Sequence, residues 1–424
     1  MLDPHQLRDQ LRSVVGRLTT RGFTLDVTHM ESLEGRREAV QIRIQKLQAE
    51  RNVRSKTIDQ ITAKNSDIAS FMADDERATD ELAAGKAELD AIQTELTDFL
   101  LTIPNLPDPD VPVGRGQDDN VEVRRWGMPR QLDFEIKDSV FLGTLSGGLD
   151  LDAAYKLSGA HFSLLRGPIA RLHRALEQFM IEMHASQHGY EETYVPYVVR
   201  GSALQCTGLL PRLEEDLFRV VGNGTASGYL IPSGDVALMN LVAGKLLDAN
   251  QLPLKLLANT PCFRNEAGMY GRDTRVTLME YQADEVALVN IVEPSASMSA
   301  LEEMVVCGER VLQCLELPYR IREVCTGDLG FSALKSYDLE VWMPSMGRYR
   351  AIGSFSNAGD FLARRMQACW RTSATSQPKL VHTVSCSGMP VGILLKAILE
   401  NYQEVDGRIR IPGVLSPMMG VETV

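Results

Sequence analysis

The chain has 424 residues, 44% hydrophobic and 24% charged, which is enough apolar material for a large core and for more than one domain. Its 56 acidic residues against 44 basic ones give a net charge of -12. That balance argues against indiscriminate polyanion binding and leaves a local basic patch as the route to RNA, with no DNA partner expected. No stretch approaches the ~18 apolar residues of a membrane span, so no membrane partner is expected. The opening residues MLDPH lack a basic region followed by an apolar run, so no signal peptide and a cytoplasmic location are expected. The seven cysteines (Cys206, Cys262, Cys307, Cys314, Cys325, Cys369 and Cys386) form no Cys-x-x-Cys pair. They read as scattered thiols in a reducing compartment, with no metal-ligand set.

Residues 1 to about 26 read as a short helical lead-in. From Thr28 to Leu101 the chain has no proline, tryptophan or tyrosine and is rich in Glu, Lys, Arg, Gln and Ala. Leu33, Val40, Ile44 and Leu47 recur at helical spacing, as do Leu82, Leu89, Ile92, Leu96 and Phe99 further on. The polar stretch Ala63 to Asp67 divides the two runs. Two helices of roughly 45–50 Å, each with one apolar stripe, predict an antiparallel coiled-coil hairpin. Basic residues Arg36, Arg37, Arg43, Lys46, Arg51, Arg54 and Lys56 lie on the first helix, and the second is acidic. Four prolines between Ile103 and Gly114 end the hairpin. The expected domains are therefore 1–103, a linker over 104–115, and 116–424. Further on, the pattern predicts helices over Ile169–Gln187 and Ala300–Leu315. Strands are predicted over Val286–Val292, Asp338–Met343 and Val381–Val384, with a weaker strand candidate over Leu217–Val221.

Ordered blocks along this chain resemble bacterial seryl-tRNA synthetases, which are class II aminoacyl-tRNA synthetases. Leu101–Pro107 (LTIPNLP) and Asp119–Val123 (DNVEV) sit where that family has them. His184–Pro196 (HASQHGYEETYVP) resembles motif 1, and Thr260–Arg275 (TPCFRNEAGMYGRDTR) resembles motif 2. Cys325–Phe331 (CTGDLGF) and Ser336–Trp342 (SYDLEVW) match as well. Gly388–Tyr402 (GMPVGILLKAILENY) resembles motif 3. The resemblance implies an α+β fold: an antiparallel sheet of six or seven strands with flanking helices, joined to an N-terminal antiparallel coiled-coil arm. It also implies a homodimer through motif 1 and tRNA binding by the arm through Arg36, Arg43, Lys46, Arg51, Arg54 and Lys56. A heterodimer with a true synthetase is the alternative assembly.

The resemblance also implies roles at the site. Arg264 would hold the amino acid carboxylate and the α-phosphate, and Glu266 would meet the adenine edge, making these two the retained catalytic residues. Arg272, Arg275 and Ser354 would complete the ATP site. Ser233, Asp235, Glu285, Asn357 and Ser387, with Arg264, would bind the amino acid. Five positions depart from the family. Met279 replaces an arginine, Ala283 a phenylalanine that stacks on adenine, and Ala287 a glutamate of the serine pocket. Ala351 replaces a metal-ligating glutamate and Ile393 the motif 3 arginine. Charge-assisted contacts in such sites contribute about 2–4 kcal/mol each to the transition state. Their joint loss gives the expectation of a non-catalytic paralogue, a pseudoenzyme that keeps dimerisation and tRNA binding. On that reading no cofactor is expected, and Mg²⁺ and ATP enter only with retained activity. Two other readings are an active enzyme with an altered substrate and an ordinary serine–tRNA ligase.

Overall fold

A computed structural model describes the backbone of residues 1–62, 69–222, 228–265 and 281–424, with side chains for all of these except 54–62 and 69–76. The chain divides into two compact units, residues 24–103 and residues 1–23 together with 104–424.

The smaller unit is a helical hairpin of α1 (Val27–Thr62) and α2 (Ala69–Thr102), 36 and 34 residues long. At 1.5 Å per residue these are about 54 and 51 Å. Arg36 pairs with Glu95 and Arg43 with Glu88, so partner numbers fall as helix numbers rise and the two helices run antiparallel. Leu33, Val40, Leu82 and Ile92 are buried along the seam, and Ile44, Leu47, Leu89, Leu96 and Phe99 are half-buried. Gly85 sits where a Cβ would come within 3.1 Å of Ile44 Cγ1, so its missing side chain lets the helices approach. The polar break expected at 63–67 lies outside the described residues.

The first 23 residues belong to the larger unit, which differs from the boundary expected at 103. Hydrogen bonds explain this. The Met1 ammonium donates to the Phe361 carbonyl at 2.5 Å. Arg21 donates to the carbonyls of Asn105, Leu329 and Gly330 at 2.5, 2.8 and 2.7 Å. One guanidinium thus satisfies backbone acceptors from two distant segments, a role its planar fork of donors suits.

The larger unit is built on one eight-stranded sheet. Its strands are β1 (Val121–Trp126), β2 (Glu191–Glu192), β3 (Leu254–Phe263), β4 (Gln282–Val292), β5 (Tyr319–Glu323), β6 (Lys335–Met343), β7 (Arg348–Gly359) and β8 (His382–Pro390). Their spatial order is β1-β5-β6-β7-β8-β4-β3-β2. Every pairing is antiparallel except β2 with β3, which is parallel, so the sheet has more strands than the expected six or seven. The Leu217–Val221 candidate shrinks to Arg219–Val220, in a separate three-stranded sheet.

Alternation along the strands separates the two faces of the sheet. Val286, Leu288, Leu339, Val341, Phe355, Val384 and Cys386 point to one face. There they meet α3 (Gly167–Ser186), α5 (Ser297–Cys314) and α6 (Val391–Asn401). The short helix α4 (Gly234–Asn240) lies against β3, β4 and β8 on the opposite face. Gly308 marks the tightest contact of the core face, because a Cβ there would fall 2.4 Å from Phe355 Cζ. Gly308→Ala is expected to destabilise the protein by about 1–3 kcal/mol through overpacking, read as a lower denaturant midpoint with an unchanged slope.

Candidate active site

The face opposite the main core is polar. On β6, Asp338 and Glu340 alternate with core residues Leu339 and Val341. Arg320 and Arg322 stand beside them on β5. Glu340 is nearly fully buried and accepts Arg320 Nε at 2.5 Å, with Arg322 at 3.6 Å. Across the ladder Ser354 lies opposite Asp338, and Ala351 opposite Glu340. The Ser354 hydroxyl hydrogen-bonds the Asp338 carboxyl. Burial, with Asp328 and Glu340 nearby, pushes the Asp338 pKa up to about 6. Ala351 is exposed.

Further along the same face, β4 presents Ala283, Glu285 and Ala287. Their partners on β3 are Cys262, Thr260 and Ala258. Helix α4 covers this patch. Its N-cap Ser233 donates to the Ser387 carbonyl, and Asp235 occupies its first turn. The close fit requires two glycines. A Cβ on Gly234 would be 3.0 Å from Thr260 Oγ1 and 3.1 Å from Ala287 Cβ, and one on Gly388 would be 2.7 Å from Glu285 Cβ. Gly388 also has φ +125°, a conformation open to glycine.

The carboxyls of Asp235 and Glu285 therefore share an enclosed crevice. Glu285 Oε2 is sealed from solvent and has no hydrogen-bond partner among the described residues. Burial raises the Glu285 pKa to about 8, with Asp235 adding to the rise. Burial raises Asp235 to about 6, opposed by hydrogen bonds from Ser233 and the Val236 amide. The thiols facing them, Cys262 and Cys386, are pushed up as well, Cys386 to about 12, first by burial.

Arg264 follows β3 at the edge of this crevice and is exposed. Its charge acts on Glu285. Its backbone amide donates to the Tyr281 carbonyl at 3.0 Å, and the Tyr281 amide donates to the His161 carbonyl at 2.9 Å. The Tyr281 ring stacks on His161 at 4.7 Å and meets Phe162 and Phe218 edge-on at 5.9 and 6.1 Å. This aromatic cluster anchors the start of β4. Sequence reasoning passed over it because its members come from three separate segments.

The fold thus brings Ser233, Asp235, Glu285, Arg264 and Ser387 together. Asn357 is a correction. It is fully buried on the core face, where its Nδ2 donates to Met298 Sδ at 3.5 Å and its Oδ1 accepts the Gly359 amide at 2.8 Å. Strand alternation turns it away from the crevice. Two of the vacated positions are closed. Ala287 is fully buried under α4, and Ile393 packs against the hydrophobic core. Ala283 lines a cavity of about 220 Å³ with Phe162, His173 and Gly392. Glu266, Arg272, Arg275 and Met279 lie outside the described residues.

Sequence reasoning also missed a group behind β4. His173 on α3 stands 3.6 Å from Glu177 and 3.6 Å from Asp284. Burial and the Asp284 charge push Glu177 up to about 7. An imidazolium between two carboxylates accounts for this arrangement by ion pairing.

On the arm, Arg36 and Arg43 are engaged by Glu95 and Glu88, at 3.0 and 2.5 Å. Lys46 is exposed and Arg51 half-buried. The side chains of Arg54 and Lys56 lie outside the described residues.

Known proteins match this chain along its whole length. Residues 1–107 match the seryl-tRNA synthetase N-terminal domain, and residues 218–402 match the tRNA synthetase class II core domain (G, H, P, S and T). A serine–tRNA ligase of Pseudomonas putida is 63% identical over 420 residues, covering 99% of both chains. One from Pseudomonas entomophila is 61% identical with the same coverage. The crystal structure of seryl-tRNA synthetase from Pyrococcus horikoshii complexed with ATP superposes with a TM-score of 0.93 at 30% identity, covering 100% of this chain and 99% of the other.

Identity of 63% to serine–tRNA ligases over the full length overturns the expectation of a defective pseudoenzyme. The substitutions were weighed one by one as lost charges. Sequence did not reveal that Asp235, Glu285 and Arg264 converge on one crevice.

The raised Glu285 pKa has a consequence for stability. An unfolded Glu loses its proton near 4.5, whereas the folded one keeps it to about 8. The stabilisation from proton binding is complete below pH 4.5 and is lost as pH rises through 8. In substrate-free protein, Glu285→Gln is expected to gain about 1–3 kcal/mol on the wild type between pH 5 and pH 8.5. Thermal melts of both proteins across that range measure the difference.

Proposed function

The chain belongs to the seryl-tRNA synthetase family, and on that premise we propose that it is a serine–tRNA ligase. It would join serine to ATP with release of pyrophosphate and pass the seryl group to tRNA. The observation that carries the reading is the 63% identity spread over 99% of both chains. The crevice supports it chemically. Arg264 at the rim offers a guanidinium for a carboxylate and the α-phosphate. Asp235 and Glu285 within offer acceptors for an ammonium or hydroxyl group.

Catalysis in such a site rests on positioning and on stabilising the charge that spreads over the phosphates. Closure of Ala287 under α4 keeps water from that end of the crevice. The backbone bond to Tyr281 holds the strand that carries Arg264. Mg²⁺ would enter with ATP and draw charge from its phosphate oxygens. The Ser354 hydroxyl and the Asp338 carboxyl are oxygen donors of the kind it takes. The negative neighbours that keep Asp338 partly protonated are an environment a cation relieves.

The arm would bind tRNA through Arg36, Arg43, Lys46 and Arg51, by contacts to backbone and shape. Arg36 and Arg43 would exchange their exposed glutamate partners for phosphates, because such surface pairs contribute only about 0–1 kcal/mol. A homodimer formed through residues 184–196 and a cytoplasmic location complete the reading.

ATP–pyrophosphate exchange by the purified protein with Mg²⁺ tests it across the twenty amino acids. Exchange with serine is expected, and silence over the whole panel would overturn the reading. Arg264→Ala should lower kcat/KM for exchange by about 10²–10³. Glu88→Gln with Glu95→Gln should tighten tRNA binding severalfold and steepen its salt dependence, as arginines released from pairing reach phosphates.

A further inference from the structure

We propose that Glu285, with Asp235 as its partner, is the receptor for the α-ammonium group of the amino acid in this chain, and that seating the ammonium expels a proton that the two carboxyls share in the empty site. The inference rests on the amino-acid-binding reading above and assigns the residue that decides it.

The geometry is specific to this pair. Glu285 Oε2 is sealed from solvent without a hydrogen-bond partner among the described residues, a state that costs stability unless a ligand donor meets it. Gly388 leaves the only kind of backbone that can pass over this carboxyl, since a Cβ there would fall 2.8 Å from Oε2. Gly234 and Ala287 contribute no side chain of length beside it. The charged and titratable groups that face it are Asp235 from α4, Cys262 and Arg264 from and just beyond β3, and Cys386 from β8. Both thiols are held neutral. Arg264 is the one cation of this set and is exposed at the rim, so within the crevice negative charge has no positive counterpart among these groups. Two carboxyls so placed keep a proton between them when the site is empty. An ammonium group carries three donors and a full positive charge, and so satisfies both. Carboxyls within and a guanidinium at the rim match the two ends of a zwitterion. On binding, the carboxyl proton passes to the buffer and the ammonium keeps its own three.

Calorimetry of serine binding to the full-length protein at pH 7, in two buffers of different ionisation enthalpy, reads the proton directly. The wild type is expected to release about half a proton or more per serine. Glu285→Gln is expected to release almost none and to raise the KM for serine about tenfold or more in exchange, with the KM for ATP unchanged. D-Glycerate, which carries a hydroxyl in place of the ammonium, should not bind. Wild-type serine KM and undiminished proton release in a folded Glu285→Gln would overturn the inference while leaving the ligase reading intact. Serine binding with proton release but no exchange would support the receptor and overturn the ligase activity. Failure of the wild type to bind serine at all would overturn both.

Discussion

The architecture of the larger unit depends on the two-sidedness of strand β4. One set of its side chains, Val286 and Leu288, is committed to the core beneath α3, α5 and α6. The alternate set, Ala283, Glu285 and Ala287, faces β3 partners and the covering helix α4. A slip of one residue would drive Glu285 into the apolar core and expose the valine and leucine, so register is held by the cost of burying charge in oil. Once β4 is fixed, Cys262 and Thr260 take their places opposite it, and the motif 3 strand pairs along its other edge. The crevice is thus a by-product of the same pairing that makes the core.

The crevice works against the stability that the core supplies. Two carboxyls are enclosed where burial raises both of their pKa values. Nothing in the core requires them there, and apolar residues would pack at lower cost. Local departures from good packing chemistry concentrate at functional positions, and here that departure coincides with the spot where an arginine stands at the rim. The arm shows a milder form of the same tension. Its seam of leucines, isoleucines and one close glycine supplies cohesion, while its exposed arginines rest in pairs weak enough to be exchanged.

The apolar replacements read differently once placed in three dimensions. Ala287 and Ile393 are packed, one under α4 and the other against the core, so neither leaves an open hole. Ala351 is exposed beside Glu340, on a face that still carries Ser354, Asp338 and two arginines. Membership in the family therefore rests on a frame retained from end to end, within which single side chains have changed.

Much of the fold was legible in the sequence because it follows from local periodicity. The leucine spacing of the arm, the cluster of prolines after it and the strands at β4, β6 and β8 are each visible within a short window. The ordered motif blocks made the family recognisable, and with it Arg264, Ser233, Asp235 and Ser387. What lay beyond a short window was decided by tertiary structure. Residues 1–23 join the larger unit through Met1 and Arg21, whose acceptors lie tens to hundreds of residues away. Asn357 has the chemistry of a ligand but the parity of a core residue, and only pairing with β8 reveals which face it takes. The meeting of Glu285 with Asp235 depends on how α4 closes over the sheet, a matter of long-range packing between segments that carry no mutual signal in the chain. Periodicity is a property of neighbours along the backbone, so sequence alone determined the elements and the family. Which polar groups would share a crevice depended on contacts across space, and the tertiary structure decided it.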